Sequence, residues 1–461
     1  MIALSLGRLA AAAGARLDQV TDPDALVTGP FSFDSREVAA GGLFACLPGS
    51  TADGHDFAAQ AVSAGAVAVL ATRPVDGVPA LIVPDVLVAM AAIATQIAAA
   101  YTGVVIGLTG SAGKTTTKDI LRAILALDGK TVATEKSFNN ELGFPVTVSR
   151  VESGTGYLVL EMGARGPGHI AALCQVAPPT IATVLGIGSA HIGEFGSREA
   201  IAAAKSEIVQ ALPPLGMAVL NADDPLVMAM ADQTEAGVMT FGTSPGSTVR
   251  ATDIQVDAQG RPGFVLLHRE ESGTVQLRVH GRHNVTNALA AAATALAAGV
   301  PFATVLAGLE AAEIVSGDRM QVSTRADGVT VINDTFNASP EAMLAAIDAL
   351  EDIAGAGRRR IAVIGEMAEL GDQAETWHAT VADRLTASGT DHLVTVGGNH
   401  AVALAETARE AGISAEHAET GQSVAEQANK VLRPDDVLLI KGSNALGLGA
   451  VARKLAAMTT A

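Results

Sequence analysis

The stretch that decides the fold is residues 104–127, which read VVIGLTGSAGKTTTKDILRAILAL. It begins with an apolar run, Val104–Leu108, passes through Gly110 and Gly113, and ends in a helical pattern from Lys118 to Leu127. A strand, a glycine turn and a helix start form the arrangement in which backbone N–H groups and a helix N-terminus bind phosphates. The stretch therefore predicts an α/β domain that binds a nucleoside triphosphate.

The side chains of this loop match the chemistry of phosphate binding. Lys114 is placed to reach the β- and γ-phosphates, and Thr115 is placed to present a hydroxyl to Mg²⁺. The loop departs from the full pattern because Leu108 occupies the position of its first glycine, so that Gly110 makes the turn. A glycine turn with an incidental lysine is the alternative interpretation. The residues predicted to bind the nucleotide are Gly110, Ser111, Gly113, Lys114, Thr115 and Thr116.

The composition of the 461-residue chain restricts its class. Its length predicts about three domains. Its net charge of −18 argues against a nucleic-acid partner, which would require a basic face. Its two cysteines, Cys46 and Cys174, lack the spacing of a zinc site or a disulfide framework, which favours a reducing compartment. We therefore expect a cytoplasmic protein, and we expect a monomer.

Two apolar segments resemble membrane signals. Met1–Ala15 is rich in alanine, but Arg8 interrupts it and no basic region precedes it. Residues 86–113 carry no charge, which is long enough to raise the question of a membrane span. Polar residues and the phosphate loop interrupt that segment, so a buried helix followed by a buried strand is the better interpretation. We expect no membrane insertion.

The pattern of elements divides the chain into three domains. Residues 1–100 mix short strands and helices, which predicts a small α/β domain. From 101 to 314, apolar strand-like runs alternate with helical stretches, which predicts a parallel sheet covered by helices, and hairpin-like strands at 248–280 predict an antiparallel appendage. Residues 315–461 predict a second, Rossmann-like parallel domain. Gly365 hints at dinucleotide binding, but no G-x-G-x-x-G follows, so a nicotinamide cofactor is not expected.

Three further side chains of the central domain are candidates for metal chemistry. Glu161 ends a buried strand, at the sheet edge where ligands bind in doubly wound folds, and a carboxylate there suits Mg²⁺. His191 follows the next strand, and Lys205 lies in an otherwise apolar helical run. Taken singly, the alternatives are a surface carboxylate, a hydrogen-bonded loop histidine and a surface lysine.

Polar residues of the second half are candidates for completing the nucleotide site. Asn284 and Asn287 lie on one face of a predicted helix, where their amides would contact a purine edge; Asn284 as a helix cap is the alternative. Arg319 follows a hinge predicted at residues 316–318, and Asp334 ends the first strand of the third domain. An arginine for phosphate charge and an aspartate for ribose or metal suit a nucleotide site that closes between two domains.

Taken together and in this order, these residues resemble the Mur ligase family, the ATP-dependent amide-bond ligases of peptidoglycan precursor synthesis. The resemblance covers essentially the whole chain. The matching positions are Thr109–Thr115 (T-G-x-x-G-K-T), Glu161–Gly163, Ala190–His191, Lys205–Ile208, Asn284, Asn287, Arg319 and Asp334. The resemblance implies ATP and two Mg²⁺ ions, with Thr115, Glu161, His191 and Lys205 as metal ligands. It further implies that Lys205 is carbamylated.

Within the family, the chain is most similar to members that add D-alanyl-D-alanine to UDP-N-acetylmuramoyl-tripeptide. The motifs that carry this similarity are Phe33–Arg36, Phe138–Pro145, Asp334–Pro340 and Gly365–Gly371. The chain departs from the family pattern at three positions, where Phe336 replaces Tyr, Ser339 replaces Asn and Glu366 replaces Asp. The substrate-binding residues that the similarity implies are Ser35, Arg36, Asn139, Asn140, Asn337 and Pro340.

The implied reaction is phosphorylation of the tripeptide carboxylate by ATP, followed by attack of the dipeptide amine on the acyl phosphate. The resemblance implies Lys114, His191 and Lys205 as catalytic residues. Four alternatives stay open, one of which is a non-enzymatic binding or structural protein. The diamino-acid-adding members would show D-N-P-R in the third domain, which is not found. Folylpolyglutamate synthetases share the loop and the lysine but would not call for Asp34–Arg36, and a GTPase switch would require an N-K-x-D motif, which is absent.

Overall fold

The structure, a computed structural model, describes residues 1–49, 52–135, 138–419 and 421–458. These residues form the predicted α/β architecture of three domains, with a mainly parallel sheet in the central one. Strands and α-helices are numbered in chain order.

The N-terminal domain consists of short strands and alanine-rich helices. Its elements are β1 (Leu4–Ser5), α1 (Leu6–Ala13), β2 (Arg16–Asp18), β3 (Leu26–Val27), β4 (Phe31–Ser32), β5 (Leu43–Ala45), α2 (Ala58–Ser63), β6 (Ala68–Ala71), β7 (Ala80–Ile82) and α3 (Val86–Ala100). The larger sheet has the order β2-β7-β6-β5-β4, in which β2 is antiparallel to its neighbour and the others are parallel. Asp85 caps α3 by accepting the N–H groups of Leu87 and Val88, and the helix buries its core-facing residues.

The central domain is built on the predicted parallel sheet. Its elements are β8 (Val104–Thr109), α4 (Lys114–Ala126), β9 (Thr131–Ala133), α5 (Gly143–Val148), β10 (Tyr157–Glu161), α6 (His169–Val176), β11 (Ile181–Val184), α7 (Ile192–Phe195), α8 (Arg198–Gln210), β12 (Met217–Asn221), α9 (Pro225–Met228), β13 (Gly237–Gly242), β14 (Val249–Val256), β15 (Pro262–His268), β16 (Glu271–Gln276), α10 (Asn284–Ala297) and α11 (Phe302–Ala311).

The order of strands in this sheet places the phosphate loop near its middle. The order is β16-β15-β14-β13-β12-β11-β8-β10-β9, parallel from β9 to β14 and antiparallel from β14 to β16. The predicted antiparallel appendage is therefore confirmed. Every residue of β10 and β11 is buried, because helices cover both faces of a parallel sheet and its strands become apolar throughout.

The C-terminal domain is the second predicted parallel α/β domain. Its elements are β17 (Gln321–Thr324), β18 (Thr330–Asp334), α12 (Pro340–Ala354), β19 (Arg360–Gly365), α13 (Ala374–Ala387), β20 (His392–Val396), α14 (Asn399–Glu410), β21 (Ser414–Ala418), α15 (Gly421–Val431), β22 (Val437–Lys441) and α16 (Leu448–Ala457). The sheet order is β17-β18-β22-β19-β20-β21, with only β17 antiparallel to its neighbour among these strands.

The charge-free segment 86–113 has the predicted structure. Helix α3 occupies its first half and strand β8 its second half. In the described part of the chain, no helix is both long enough and apolar enough to span a membrane.

Candidate active site

A cavity of about 1490 Å³ lies between the central and C-terminal domains. Its walls include the loop after β8, the carboxyl ends of β10 and β18, and the first turns of α10 and α12. Ligands bind at this edge of parallel sheets. The predicted site residues that line it are Gly110, Ser111, Gly113, Lys114, Thr115, Thr116, Asn139, Asn140, Glu161, His191, Lys205, Asn284, Asn287, Arg319, Asp334 and Asn337.

The phosphate loop is shaped by a close approach between α4 and α10. Gly113 has a φ of 80°, a conformation that favours glycine. A Cβ at this position would overlap Asn287 Oδ1, so the contact leaves no room for a side chain. Helix α4 begins at Lys114 and no side chain caps it. Its first N–H groups are therefore available to an anion, as phosphate binding requires.

Glu161 is the centre of a buried polar network at the end of β10. The residue is only 1% exposed, so the surface interpretation of this carboxylate is wrong. Its Oε2 accepts the Thr115 hydroxyl at 2.9 Å, and its Oε1 accepts the Asn139 amide at 2.8 Å. A hydroxyl and a carboxylate in contact, beside a loop that binds phosphate, are donors that suit Mg²⁺. Asn139 thereby orients the proposed metal ligand.

Two lysines that border the cavity have pKa values lowered by desolvation. Lys205 is 5% exposed, so the surface interpretation of this residue is wrong. Burial, reinforced by the positive charge of Lys114, holds the pKa of Lys205 well below its usual range. Within the described residues its amine makes no hydrogen bond or ion pair that the structure records. Lys114 donates to Gly110 O at 2.7 Å; desolvation lowers its pKa, and the Glu161 carboxylate opposes this effect.

His191 joins the central and C-terminal domains. It has a φ of 63° and immediately precedes α7. Its Nδ1 pairs with the carboxylate of Glu369, and Glu194 lies 4.0 Å away. The ligand atoms of these three side chains lie within 4.8 Å of one another, close enough to share a metal ion. Gly193 N also donates to Glu369 O at 3.1 Å, so the contact includes the backbone.

The two asparagines of α10 hold the phosphate-loop helix in place. Asn287 Oδ1 accepts the Thr117 hydroxyl at 3.2 Å, and Asn287 Nδ2 donates to Asn284 Oδ1 at 2.7 Å. Asn284 Nδ2 donates to His280 O at 2.6 Å. His283 is the cap residue and Asn284 is already helical, so the cap interpretation of Asn284 is wrong. Both asparagines border the cavity, and their contact with a purine stays a prediction.

Arg319 and Asp334 belong to one polar cluster of the C-terminal domain. The Arg319 guanidinium lies 3.9 Å from the centre of the Phe336 ring. This contact requires an aromatic ring face and does not involve a hydroxyl, so the replacement of Tyr by Phe preserves it. Asp334 Oδ1 accepts Met320 N at 3.1 Å, and Asp334 Oδ2 pairs with Lys441 Nζ at 2.6 Å.

The substrate residues implied by the resemblance do not all lie in the cavity. Asn140 and Asn337 border the cavity, whereas Pro340 is buried at the start of α12 and is not among the lining residues. Ser35 and Arg36 also lie outside the cavity lining. Ser35 donates to Gln60 at 3.2 Å, and Arg36, with 81% of its side chain exposed, pairs with Asp34 at 2.6 Å.

Reasoning from the sequence missed several charged residues of the cavity, of which Lys441 and Glu341 make contacts that shape it. Lys441 is 2% exposed and donates to Asn337 O at 2.9 Å, so it holds the loop after β18. It ends the buried strand β22, and the rule that singled out Glu161 could have found it. Glu341 lies in the first turn of α12 and accepts Ser189 N at 2.7 Å. No sequence pattern indicates this contact, because the two residues belong to different domains.

Models of the Mur ligase family match most of the chain. The matches are to the Mur ligase family, catalytic domain, over residues 31–102; to the Mur ligase middle domain, over 108–295; and to the Mur ligase, glutamate ligase domain, over 318–444. The phosphate loop faces a second parallel α/β domain across the cavity, and together with these matches this arrangement assigns the chain to the ATP-dependent ligases that form amide bonds. The chain belongs to the Mur ligase family.

Individual relatives match the chain over nearly its whole length. A protein from Mycobacterium tuberculosis (strain CDC 1551 / Oshkosh), named UDP-N-acetylmuramoyl-tripeptide–D-alanyl-D-alanine ligase, is 45% identical, with 100% of this chain and 99% of the relative covered. A crystal structure of MurF from Acinetobacter baumannii has a TM-score of 0.86 at 31% identity and covers 98% of this chain and 99% of its own. MurF ligase from Thermotoga maritima in complex with ADP has a TM-score of 0.78 at 30% identity, covering 93% and 97%.

Proposed function

We propose that this protein is the ATP-dependent ligase that adds D-alanyl-D-alanine to UDP-N-acetylmuramoyl-tripeptide in peptidoglycan precursor synthesis. The observation that carries the proposal is a single cavity bordered on one side by the phosphate loop and on the other by the loop that contains Asn337. The relative from Mycobacterium tuberculosis carries this activity in its name. The product amide bond joins the terminal carboxylate of the tripeptide to the amine of the dipeptide.

The first step brings two anions together, the γ-phosphate of ATP and the carboxylate of the tripeptide. Charge neutralisation and positioning therefore supply most of the catalysis. Lys114 from the central domain and Arg319 from the C-terminal domain are two of the cations that border the cavity. Thr115 and Glu161 would hold a Mg²⁺ ion, which adds further positive charge when bound. The chain's own contribution is to orient these groups, and the hydrogen bond from Asn139 to Glu161 does so.

Lys205 would hold a second Mg²⁺ as a carbamate, with His191 beside it. Carbamate formation requires an uncharged amine, and the burial that lowers the pKa of Lys205 favours that form. The carbamate is an anionic group and therefore suits Mg²⁺ as a ligand, whereas an unmodified lysine amine carries no negative charge. Lys205 and His191 both border the cavity, which supports the assignment.

The three domains would divide the substrates between them. Residues 1–100 would bind the UDP-linked substrate through Ser35 and Arg36, residues 101–314 would bind ATP, and residues 315–461 would close on ATP and bind the dipeptide. Closure expels water and protects the acyl phosphate from hydrolysis. We place this activity in the cytoplasm and in a monomer.

An ADP-release assay tests the proposal. With ATP, Mg²⁺ and UDP-N-acetylmuramoyl-tripeptide, we expect sustained ADP release only after D-alanyl-D-alanine is added, together with a product whose mass equals the two substrates less one water. The contrary result is efficient ligation of free lysine or diaminopimelate to UDP-muramoyl-dipeptide, which would assign the sister activity. Hydrolysis specific for GTP without any acceptor would instead assign a GTPase.

A further inference from the structure

Glu341 reaches from the C-terminal domain into the central domain. It lies in the first turn of α12, and its Oε1 accepts the N–H of Ser189, in the loop after β11, at 2.7 Å. The carboxylate packs directly on the backbone of Gly188, where an added Cβ would lie 2.7 Å from Glu341 Cδ. Glycine at position 188 therefore creates the space that the carboxylate occupies.

The second oxygen of this carboxylate is unsatisfied. Oε2 is enclosed by the protein and has no hydrogen-bond partner among the described residues. Among the described residues, no lysine, arginine or histidine forms an ion pair with Glu341. An ionised carboxylate can only accept hydrogen bonds, and an enclosed acceptor without a donor is unfavourable. Since the side chain also borders the cavity, a small rotation of the carboxylate would present this oxygen to a donor of a bound molecule.

The position of Glu341 indicates which donor this is. Asn337 lies in the loop that we propose binds the dipeptide, and Glu341 follows Asn337 by four positions. Its partner Ser189 precedes His191 by two positions, and His191 and Lys205 border the same cavity. Glu341 thus connects the acceptor loop to the place where the carboxylate would be activated. The dipeptide presents one cationic donor, its α-ammonium group, whose pKa of about 8 leaves it mostly protonated near neutral pH.

We propose that Glu341 binds the ammonium group of the acceptor dipeptide and takes one proton from it. The inference rests on the proposed function. One proton passes from the nitrogen to Glu341, and the lone pair that is freed forms the C–N bond with the acyl carbon. The C–O bond to phosphate then breaks. The departing phosphate takes the second proton from the nitrogen, and Glu341 releases its proton to solvent.

Glu341→Gln separates this role from a structural one. Glutamine retains an oxygen that accepts the Ser189 N–H and has nearly the same volume, but it carries no charge. We expect kcat/KM for D-alanyl-D-alanine to fall by about 10²- to 10⁴-fold, the usual contribution of a general base, with KM unchanged for ATP and for the UDP-linked substrate. The matched control is Glu375→Gln, an exposed glutamate in the first turn of α13, which should retain wild-type ligation.

Hydroxylamine distinguishes the two chemical steps. It is uncharged at neutral pH and needs no base, so Glu341→Gln should form the acyl hydroxamate from the tripeptide substrate at the wild-type rate. Wild-type ligation of the dipeptide by Glu341→Gln would overturn the inference and leave Glu341 a structural contact. Loss of hydroxamate formation in the variant would also overturn it, because the defect would precede amine attack. If the wild-type enzyme forms neither hydroxamate nor dipeptide product, the proposed function itself fails.

Discussion

Lys114 is a residue whose predicted task depends on charge alone. It lies at the first position of α4 and borders the cavity beside Glu161. We expect Lys114→Ala to lower kcat by at least about 10²-fold, since a cation aimed at developing charge contributes on that scale. The fold should be retained because the side chain is no part of the apolar core. ADP release at a near wild-type rate, with an unchanged circular dichroism spectrum, would contradict the phosphate-loop assignment.

Lys205 is a residue whose predicted task depends on chemical modification. We expect Lys205→Ala to be nearly inactive, and a small carboxylate such as acetate to restore part of its activity by replacing the carbamate. Lys205→Arg should stay inactive with or without acetate, because a guanidinium does not take up CO₂. ADP release measured across an acetate titration is the readout. An arginine variant with full activity would exclude the carbamate.

The carbamate can also be observed without an activity assay. Carbamylation adds CO₂ to an amine, so ¹³C-bicarbonate should label the wild-type protein and leave Lys205→Ala unlabelled in a ¹³C NMR spectrum. The low pKa that burial imposes on Lys205 favours this reaction. An identical spectrum for the two proteins would contradict the proposal.

At the scale of elements, a buried ion pair connects the phosphate-loop helix to the predicted hinge. Lys118 and Asp119 of α4 pair at 2.8 Å, and their side chains are 3% and 0% exposed. Asp119 Oδ2 accepts the N–H of Ser316 at 3.0 Å, and Lys118 Nζ lies 3.3 Å from the Ser316 hydroxyl. The segment that leads into the C-terminal domain is therefore attached to the helix that would carry the nucleotide. A movement of this hinge would therefore be transmitted through α4 to the phosphate loop.

Removing one member of this pair should be costly. Asp119→Ala leaves the Lys118 charge buried and uncompensated, so we expect the free energy of unfolding to fall by about 3–5 kcal/mol. Arg122→Ala, at an exposed position of the same helix, is the matched control and should change it by less than about 0.5 kcal/mol. Urea unfolding followed by circular dichroism measures both. Equal stability of the two variants would show that the pair does not hold the hinge.

At the scale of the whole molecule, substrate binding is predicted far from the chemistry. Arg36 lies in the N-terminal domain, outside the cavity lining, with most of its side chain exposed. We expect Arg36→Ala to raise KM for the UDP-linked substrate much more than KM for ATP, with a smaller loss in kcat, because remote binding energy also contributes to the reaction. Steady-state kinetics with each substrate varied in turn gives the comparison.

The control for this prediction is Arg16→Ala, another exposed arginine of the same domain, which pairs with Asp18 at 2.8 Å. It should leave both KM values unchanged. An equal rise of both KM values in Arg36→Ala would indicate a folding defect, and no change in either would remove Arg36 from the substrate site.

The sequence by itself determined the features whose signals are local. The phosphate loop is readable because a strand, Gly110–Gly113 and a helix start follow one another within a few residues. The bounds of β8 and α4 confirm this arrangement of elements. Glu161 is readable because the carboxyl end of a buried parallel strand lies at the ligand-binding edge. The alternation of apolar strands and helices also predicted both parallel sheets, since that periodicity depends on which face of each element is buried.

Only the tertiary structure decided which of these residues meet. Glu341 and Ser189 are separated by 152 residues, and His191 meets Glu369 from another domain. Nothing in the periodicity of either segment encodes such a pair, because it depends on how two domains pack together. Burial acted in the same way at Lys205, where one lysine in an apolar helix was compatible with the surface and with the core. The packing of the surrounding elements buries it beside the cavity, and this burial lowers its pKa.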